Sequence, residues 1–276
     1  MKVCVCSTAG VANQLVHQLN LNSCKFILKK EAKKIFIKNN FKIKSISIRE
    51  SLSKAKIFYL STGDKFSKDC IKKLKKHKKY VIAIFDHWIN FKNRIDENYP
   101  PDEVWVFDNK AKKILRKIFP HIRIILKKNL YFINEKKKYG NLTKSKKDIL
   151  YVTEPLEKNN EILALNYFIK LLYKSKISYR YLLIKVHPKE TKKKYIQFFL
   201  KKKIKVKIYK DIDLINLFAK SKFVVGRNSM ALHLSNYLNL VTFYCIPKKL
   251  GLFKLPNSNF LEFASNIKKL EKIFND

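Results

Sequence analysis

Two segments in the last third of the chain carry residue types suited to phosphate. Arg180–Glu190 reads RYLLIKVHPKE, and Phe223–Pro247 reads FVVGRNSMALHLSNYLNLVTFYCIP. Each is an apolar run fitting a buried strand that ends in a polar loop, and the second continues into a helical pattern. That spacing sets His187, Arg227, Asn228 and Ser229 at strand ends facing a helix N-terminus, where an open α/β sheet takes anionic ligands. Pro188 stops the strand and stiffens the loop, so His187 is presented at the sheet edge and can donate a hydrogen bond to a phosphate oxygen. Gly226 allows close backbone approach, and Ser229 is a natural cap for a helix opening at Met230. Arg227 can add a charge-assisted contact to a diphosphate or a sugar carboxylate. Either loop alone also fits a turn histidine or a plain capped helix. Two of them in one half-chain point to a phosphate-bearing, nucleotide-activated ligand.

The first half offers a different chemistry. Asp86-His87-Trp88 follows the apolar run YVIAIF, so a carboxylate and an imidazole end a strand where they can deprotonate a hydroxyl. Trp88 can stack on a sugar ring, with packing in a core as its alternative, and Asp86 can instead cap the next segment. Asp64, in STGD, is a weaker candidate base. Gly10, in STAGVAN, sits in a strand-to-helix turn that falls short of G-x-G-x-x-G, so its amides can face a ligand or close a simple turn. Glu154, after the run ILYVT, can accept from a ribose or sugar hydroxyl.

No H-E-x-x-H, cysteine array or Walker lysine occurs in the sequence, and Asp211-Ile212-Asp213 precedes a helical pattern and reads as a cap. No metal and no cofactor are expected. The five cysteines are odd in number and lack metal spacing; alternation in Cys4-Val5-Cys6 turns two thiols to one strand face, and all are expected to be reduced in a cytoplasmic compartment. No apolar run reaches a membrane span's ~18 to 20 residues. Lys and Arg outnumber Asp and Glu by 61 to 21, for a net charge of +40. Such charge suits nucleic acid or an anionic membrane. The lysines, however, are spread at helical spacing along nearly every amphipathic segment, which favours a solvated coat over a nucleic-acid face and leaves peripheral membrane contact as a secondary consequence.

The elements that must position these residues alternate. Strand and helix patterns run in turn from Lys2 to Leu126 and restart at Asp148, which predicts an α/β protein with two parallel sheets of right-handed crossovers. The expected organisation is two Rossmann-like domains, 1–135 and 148–276, facing across a cleft, with the lysine-rich stretch 136–147 as linker.

K-V-H-P-K-E followed by V-V-G-R-N-S-M-A-L resembles the nucleotide-binding half of bacterial GT-B glycosyltransferases, especially sialyltransferase-like and capsule-type enzymes with an H-P motif and a later serine motif. The likeness covers residues 148–247, and this half is also similar to that of non-hydrolysing sugar-nucleotide epimerases. By resemblance His187 and Ser229 contact the phosphate of a nucleotide sugar, Asp86 is the base with His87 as alternate, and the acceptor is a surface glycan or lipid-linked glycan. One departure stands out: the ribose-binding glutamate common after the serine loop has no counterpart in Ala231–Ser235. Epimerisation, polyol-phosphate transfer, a non-catalytic scaffold and nucleic-acid binding are the alternatives.

Overall fold

The computed structural model describes residues 1–19, 23–88, 90–155, 159–251 and 260–275. The chain divides into two units, Met1–Tyr131 and Phe132–Asp276. In the first unit β1 (Lys2–Cys6), α1 (Ala9–Gln18), β2 (Cys24–Leu28), α2 (Lys30–Lys38) and α3 (Ile48–Lys54) lead to β3 (Ile57–Ser61) and α4 (Lys65–Lys76). Next come β4 (Tyr80–Ile84), α5 (Phe91–Arg94), β5 (Glu103–Val106), α6 (Asn109–Ile118) and β6 (Arg123–Leu126), and α7 (Leu130–Gly140) then crosses into the second unit. The strands form one six-stranded sheet in the order β2-β1-β3-β4-β5-β6, and every pairing in it is parallel.

The second unit runs β7 (Asp148–Val152), α8 (Asn160–Lys174), β8 (Leu182–Lys185), α9 (Lys192–Phe199), β9 (Val206–Tyr209) and α10 (Leu214–Phe218). It continues with β10 (Ser221–Gly226), α11 (Met230–Tyr237), β11 (Val241–Tyr244), β12 (Leu261–Glu262) and α12 (Phe263–Asn275). Its sheet has the order β12-β11-β10-β7-β8-β9 and is also parallel throughout.

The strands are apolar on both faces because helices cover both, as parallel sheets require. Strand β1 makes this visible: Val3 and Val5 enter one core, while Cys4 and Cys6 point to the opposite one. All five cysteines are buried and free. In the second unit Tyr151, Phe168, Phe223, Phe243 and Phe263 pack ring against ring.

Several helix starts are fixed by aspartate or serine caps. Asp64, Asp108, Asp213 and Ser229 each accept from a backbone amide of the first turn. Asn239, just past α11, is left-handed with φ 60°, the conformation that commonly ends a helix. The stretch expected as a linker is helical as far as Gly140. Lysines mask a buried stripe there, in which Phe132, Glu135 and Tyr139 recur at spacings of three and four. Among the described residues no helix is long and apolar enough to cross a membrane.

Candidate functional site

Each sheet reverses its strand order once, and ligands of such sheets bind beyond the carboxyl ends of the strands at that reversal. In the second unit the reversal lies between β7 and β10, which are neighbours with Val152 beside Gly226. Every residue singled out in that half leaves one of three adjacent strands: Glu154 comes after β7, His187 after β8, and Gly226–Ser229 end β10.

His187 is held from several directions. Its amide donates to Thr153 Oγ1 at 2.9 Å, its carbonyl accepts from the Glu190 amide, and its Nδ1 accepts from the Lys189 amide at 3.2 Å. With Nδ1 accepting, the proton of the neutral ring sits on Nε2. Burial, assisted by Lys189, Lys185 and Lys210, pushes the imidazole down to about 4 even though Glu190 pulls the other way. At neutral pH His187 is thus an uncharged ring with a fixed N–H donor. Pro188 beside it is exposed.

On the facing loop, Ser229 Oγ accepts from the Ala231 amide at 3.0 Å, and the Leu232 amide bonds the Ser229 carbonyl. Two first-turn amides of α11 are thereby taken up. The anion-binding capacity of this turn rests on the Met230 amide, the Ser229 hydroxyl proton and Arg227. The Arg227 guanidinium reaches the Leu250 carbonyl through Nη2 at 3.4 Å, while its Nε is buried without a partner. Gly226 is held to glycine by packing: a Cβ there would lie 2.6 Å from Val152 Cγ2 and 3.1 Å from the Val152 carbonyl.

Glu154 accepts from the Asn228 amide, and burial raises its carboxyl despite the opposing charge of Arg227. Behind it Glu161, fully buried at 0% exposure, is raised well above the usual carboxylate range by burial first and by Glu154 and Glu190 next. Tyr151 and the Glu154 amide face Glu161 without closing a well-formed hydrogen bond.

In the first unit the reversal lies between the neighbouring strands β1 and β3. Beyond it the Ser7, Ser61 and Ser67 hydroxyls close a buried triangle with sides of 2.9 to 3.0 Å. Asp86, after β4, pairs with Arg94 at 3.2 Å, and both side chains are largely buried. Arg94 also reaches Thr62 Oγ1 and lies over the Phe85 ring. The Asp86 carboxylate rests against Gly10 so closely that a Cβ there would fall 1.8 Å from Oδ2. Gly10 thus admits the carboxylate to the start of α1.

His87 Nδ1 accepts from the Trp88 amide at 3.0 Å, which engages the nitrogen a neutral base would use. The Trp88 indole donates to Asp108, meets the His87 ring edge-on and packs partly buried against the core. Asn90, not Asp86, stands at the N-cap position of α5, without a side-chain capping bond. Asp64 caps α4 through the Ser67 amide at 2.8 Å.

Thr153, Glu161, Tyr195 and the serine triangle belong to no motif of the sequence. Serine or threonine at the carboxyl ends of neighbouring strands was the available signal. Among the described residues no group of three or more His, Cys, Asp or Glu is placed to hold a metal ion.

No protein-family model matches the chain, and no curated protein does. Solved structures do. The UDP-GlcNAc 2-epimerase of Neisseria meningitidis, bound to UDP-GlcNAc, superposes with a TM-score of 0.65 at 14% identity over 88% of this chain and 82% of that one. Its counterpart from Methanocaldococcus jannaschii, in complex with UDP-GlcNAc and UDP, gives 0.63 at 13% identity over 88% and 83%. The wall teichoic acid polymerase TagF, a histidine-to-asparagine variant soaked with CDPG, gives 0.55 at 13% identity over 100% and 81%. The fold is GT-B-like. In GT-B-like terms the first unit carries Asp86 and Arg94, and the second carries His187 and the Ser229 loop.

Proposed function

We propose that the protein is a glycosyltransferase of GT-B type, moving a sugar from a nucleotide-activated donor to a surface-glycan or lipid-linked acceptor without a resident metal. The observation that carries this is the placement of the fixed His187 donor after β8 and of Arg227 and the Ser229 turn after β10, on either side of β7 at the strand-order reversal of the second sheet. A neutral N–H donor, a hydroxyl, a helix N-terminus and a guanidinium together suit the phosphates of a leaving nucleotide and offset its charge without a cation. The neighbours solved with UDP-GlcNAc or CDPG support a nucleotide-linked ligand.

In this reading Asp86 is the base that takes the acceptor proton. It is preferred to His87 because the acceptor nitrogen of the neutral His87 ring is engaged by the Trp88 amide. Arg94 keeps the carboxylate oriented. A second reading, sugar-nucleotide epimerisation, draws on the likeness to the epimerases. Against it, Glu190 is engaged by hydrogen bonds and Glu161 is sealed in the interior.

Thermal stabilisation by CMP-, CDP-, UDP- and GDP-linked ligands tests the proposal, since a ligand of the native state raises the melting temperature. One nucleotide class is expected to do so in the presence of EDTA, with the shift lost in His187→Ala and Ser229→Ala. Silence across the whole panel, alongside salt-sensitive binding to nucleic acid, would overturn it. Interconversion of the donor sugar without any acceptor would select the epimerase.

A further inference from the structure

We propose that Glu190, acting through Thr153, is the positioning residue that holds the His187 imidazole with Nδ1 on the Lys189 amide and Nε2–H as its outward donor. The inference deepens the nucleotide-phosphate reading and rests on it for its functional consequence. Glu190 is buried on the loop between β8 and α9, and each of its polar atoms has a partner on a different residue. Oε2 accepts from Thr153 Oγ1 at 2.8 Å and from the Tyr195 hydroxyl at 2.6 Å. Oε1 accepts from Lys194 Nζ at 2.7 Å. The Glu190 amide closes the turn onto the His187 carbonyl, and the Glu190 carbonyl accepts from Lys210 Nζ at 2.6 Å.

Direction decides the rest. A carboxylate only accepts, so Thr153 must spend its single hydroxyl proton on Glu190. Its oxygen is then left to accept from the His187 amide. The chain Glu190 to Thr153 to His187 therefore runs one way only. It ties the ends of β7 and β8 to the first helical turn after them, through Tyr195 on α9. A buried network in which every member is satisfied fixes one conformation, whereas a half-satisfied one does not. The imidazole sits at the end of this chain, on a tight turn closed by Glu190 itself.

The test separates positioning from folding and from nucleotide binding. Protein labelled with 15N-histidine reports by long-range NMR correlation which His187 nitrogen bears the proton, and CMP, CDP, UDP and GDP affinities are measured by calorimetry. Wild type and Thr153→Ser keep a hydroxyl between Glu190 and the His187 amide, so a single Nε2–H tautomer is expected, with affinities within about threefold, whereas Glu190→Leu removes the acceptor that orients the Thr153 hydroxyl and is expected to mix the tautomers. Thr153→Val orphans the His187 amide and cuts the link to Glu190. There we expect mixed tautomers and about tenfold weaker nucleotide binding, as for one lost hydrogen bond. Thr153→Val with the wild-type tautomer would overturn the proposal, even if a nucleotide binds all variants equally. A tautomer lost in Val and kept in Ser, with no nucleotide bound by any variant, would uphold the positioning role while removing the nucleotide reading.

Discussion

Asp86 and Gly10 are far apart in sequence yet occupy one another's space, because β1 and β4 flank β3 in the sheet. A methyl at position 10 cannot coexist with the carboxylate where it stands. Gly10→Ala is expected to cost about 1 to 3 kcal/mol from overpacking and to abolish transfer as thoroughly as Asp86→Ala, measured by urea unfolding and a turnover assay. His187 yields a second expectation at this scale. In the unfolded chain the imidazole takes its proton near 6.5, while the native ring resists until about 4. Between these values the unfolded state binds more protons, so stability is full above 6.5 and is lost as pH falls toward about 4, by about 3 kcal/mol over the whole interval. His187→Gln should remove that slope, and comparing it with wild type from about pH 7 to about pH 4.5 by denaturant titration isolates the histidine. An unchanged slope would place the ring in water.

Helix α8 places an acid where the core is closed. Glu161, in its first turn, is fully buried beside Tyr151. Its raised carboxyl means that the unfolded chain ionises first. The group therefore contributes its stability below the ordinary value near 4.5 and loses it as pH rises toward the native value. Glu161→Gln keeps the shape without the ionisable proton, so it is expected to raise the melting temperature at about pH 7 and to have no such effect below about pH 4. A variant melting lower than wild type at neutral pH would mean the carboxylate is charged and paired. Helix α7 makes a related point about elements: its lysines face outward while Phe132 packs on Tyr237, so a stretch of linker composition is helix because one stripe is buried.

The net charge of +40 comes from lysines that recur on helices of both units, among them α4, α6 and α9. Lysines on several elements lie over aromatic rings: Lys29 over Phe66, Lys127 over Trp105, Lys202 over Phe198 and Lys207 over Tyr181. Each holds its ammonium over the face of a ring. Exposed charges of this kind are screened within about 8 Å at physiological salt. Sedimentation with phosphatidylglycerol vesicles is expected to fall continuously with salt, and reversing Lys72, Lys73, Lys75 and Lys76 on α4 together should weaken it less than about threefold. Collapse of binding in that one variant would instead define a docking face.

The sequence by itself determined the strands and their carboxyl ends, because strands buried on both faces read as unbroken apolar runs and the polar residue after each run is the strand's mouth. His187, Ser229 and Asp86 were legible for that reason. It also determined caps such as Asp213 and the left-handed Asn239, since both are local chemistry. Tertiary structure alone decided which mouths are neighbours. Thr153, Glu190 and Tyr195 come from a strand end, a loop and a helix, and meet only because β7 pairs with β8. Arg94 reaches back to Asp86 only because the short α5 turns the chain. Hydrophobic pattern fixes which way a side chain faces, whereas strand order is set by packing between distant segments, and that order assembled both candidate sites.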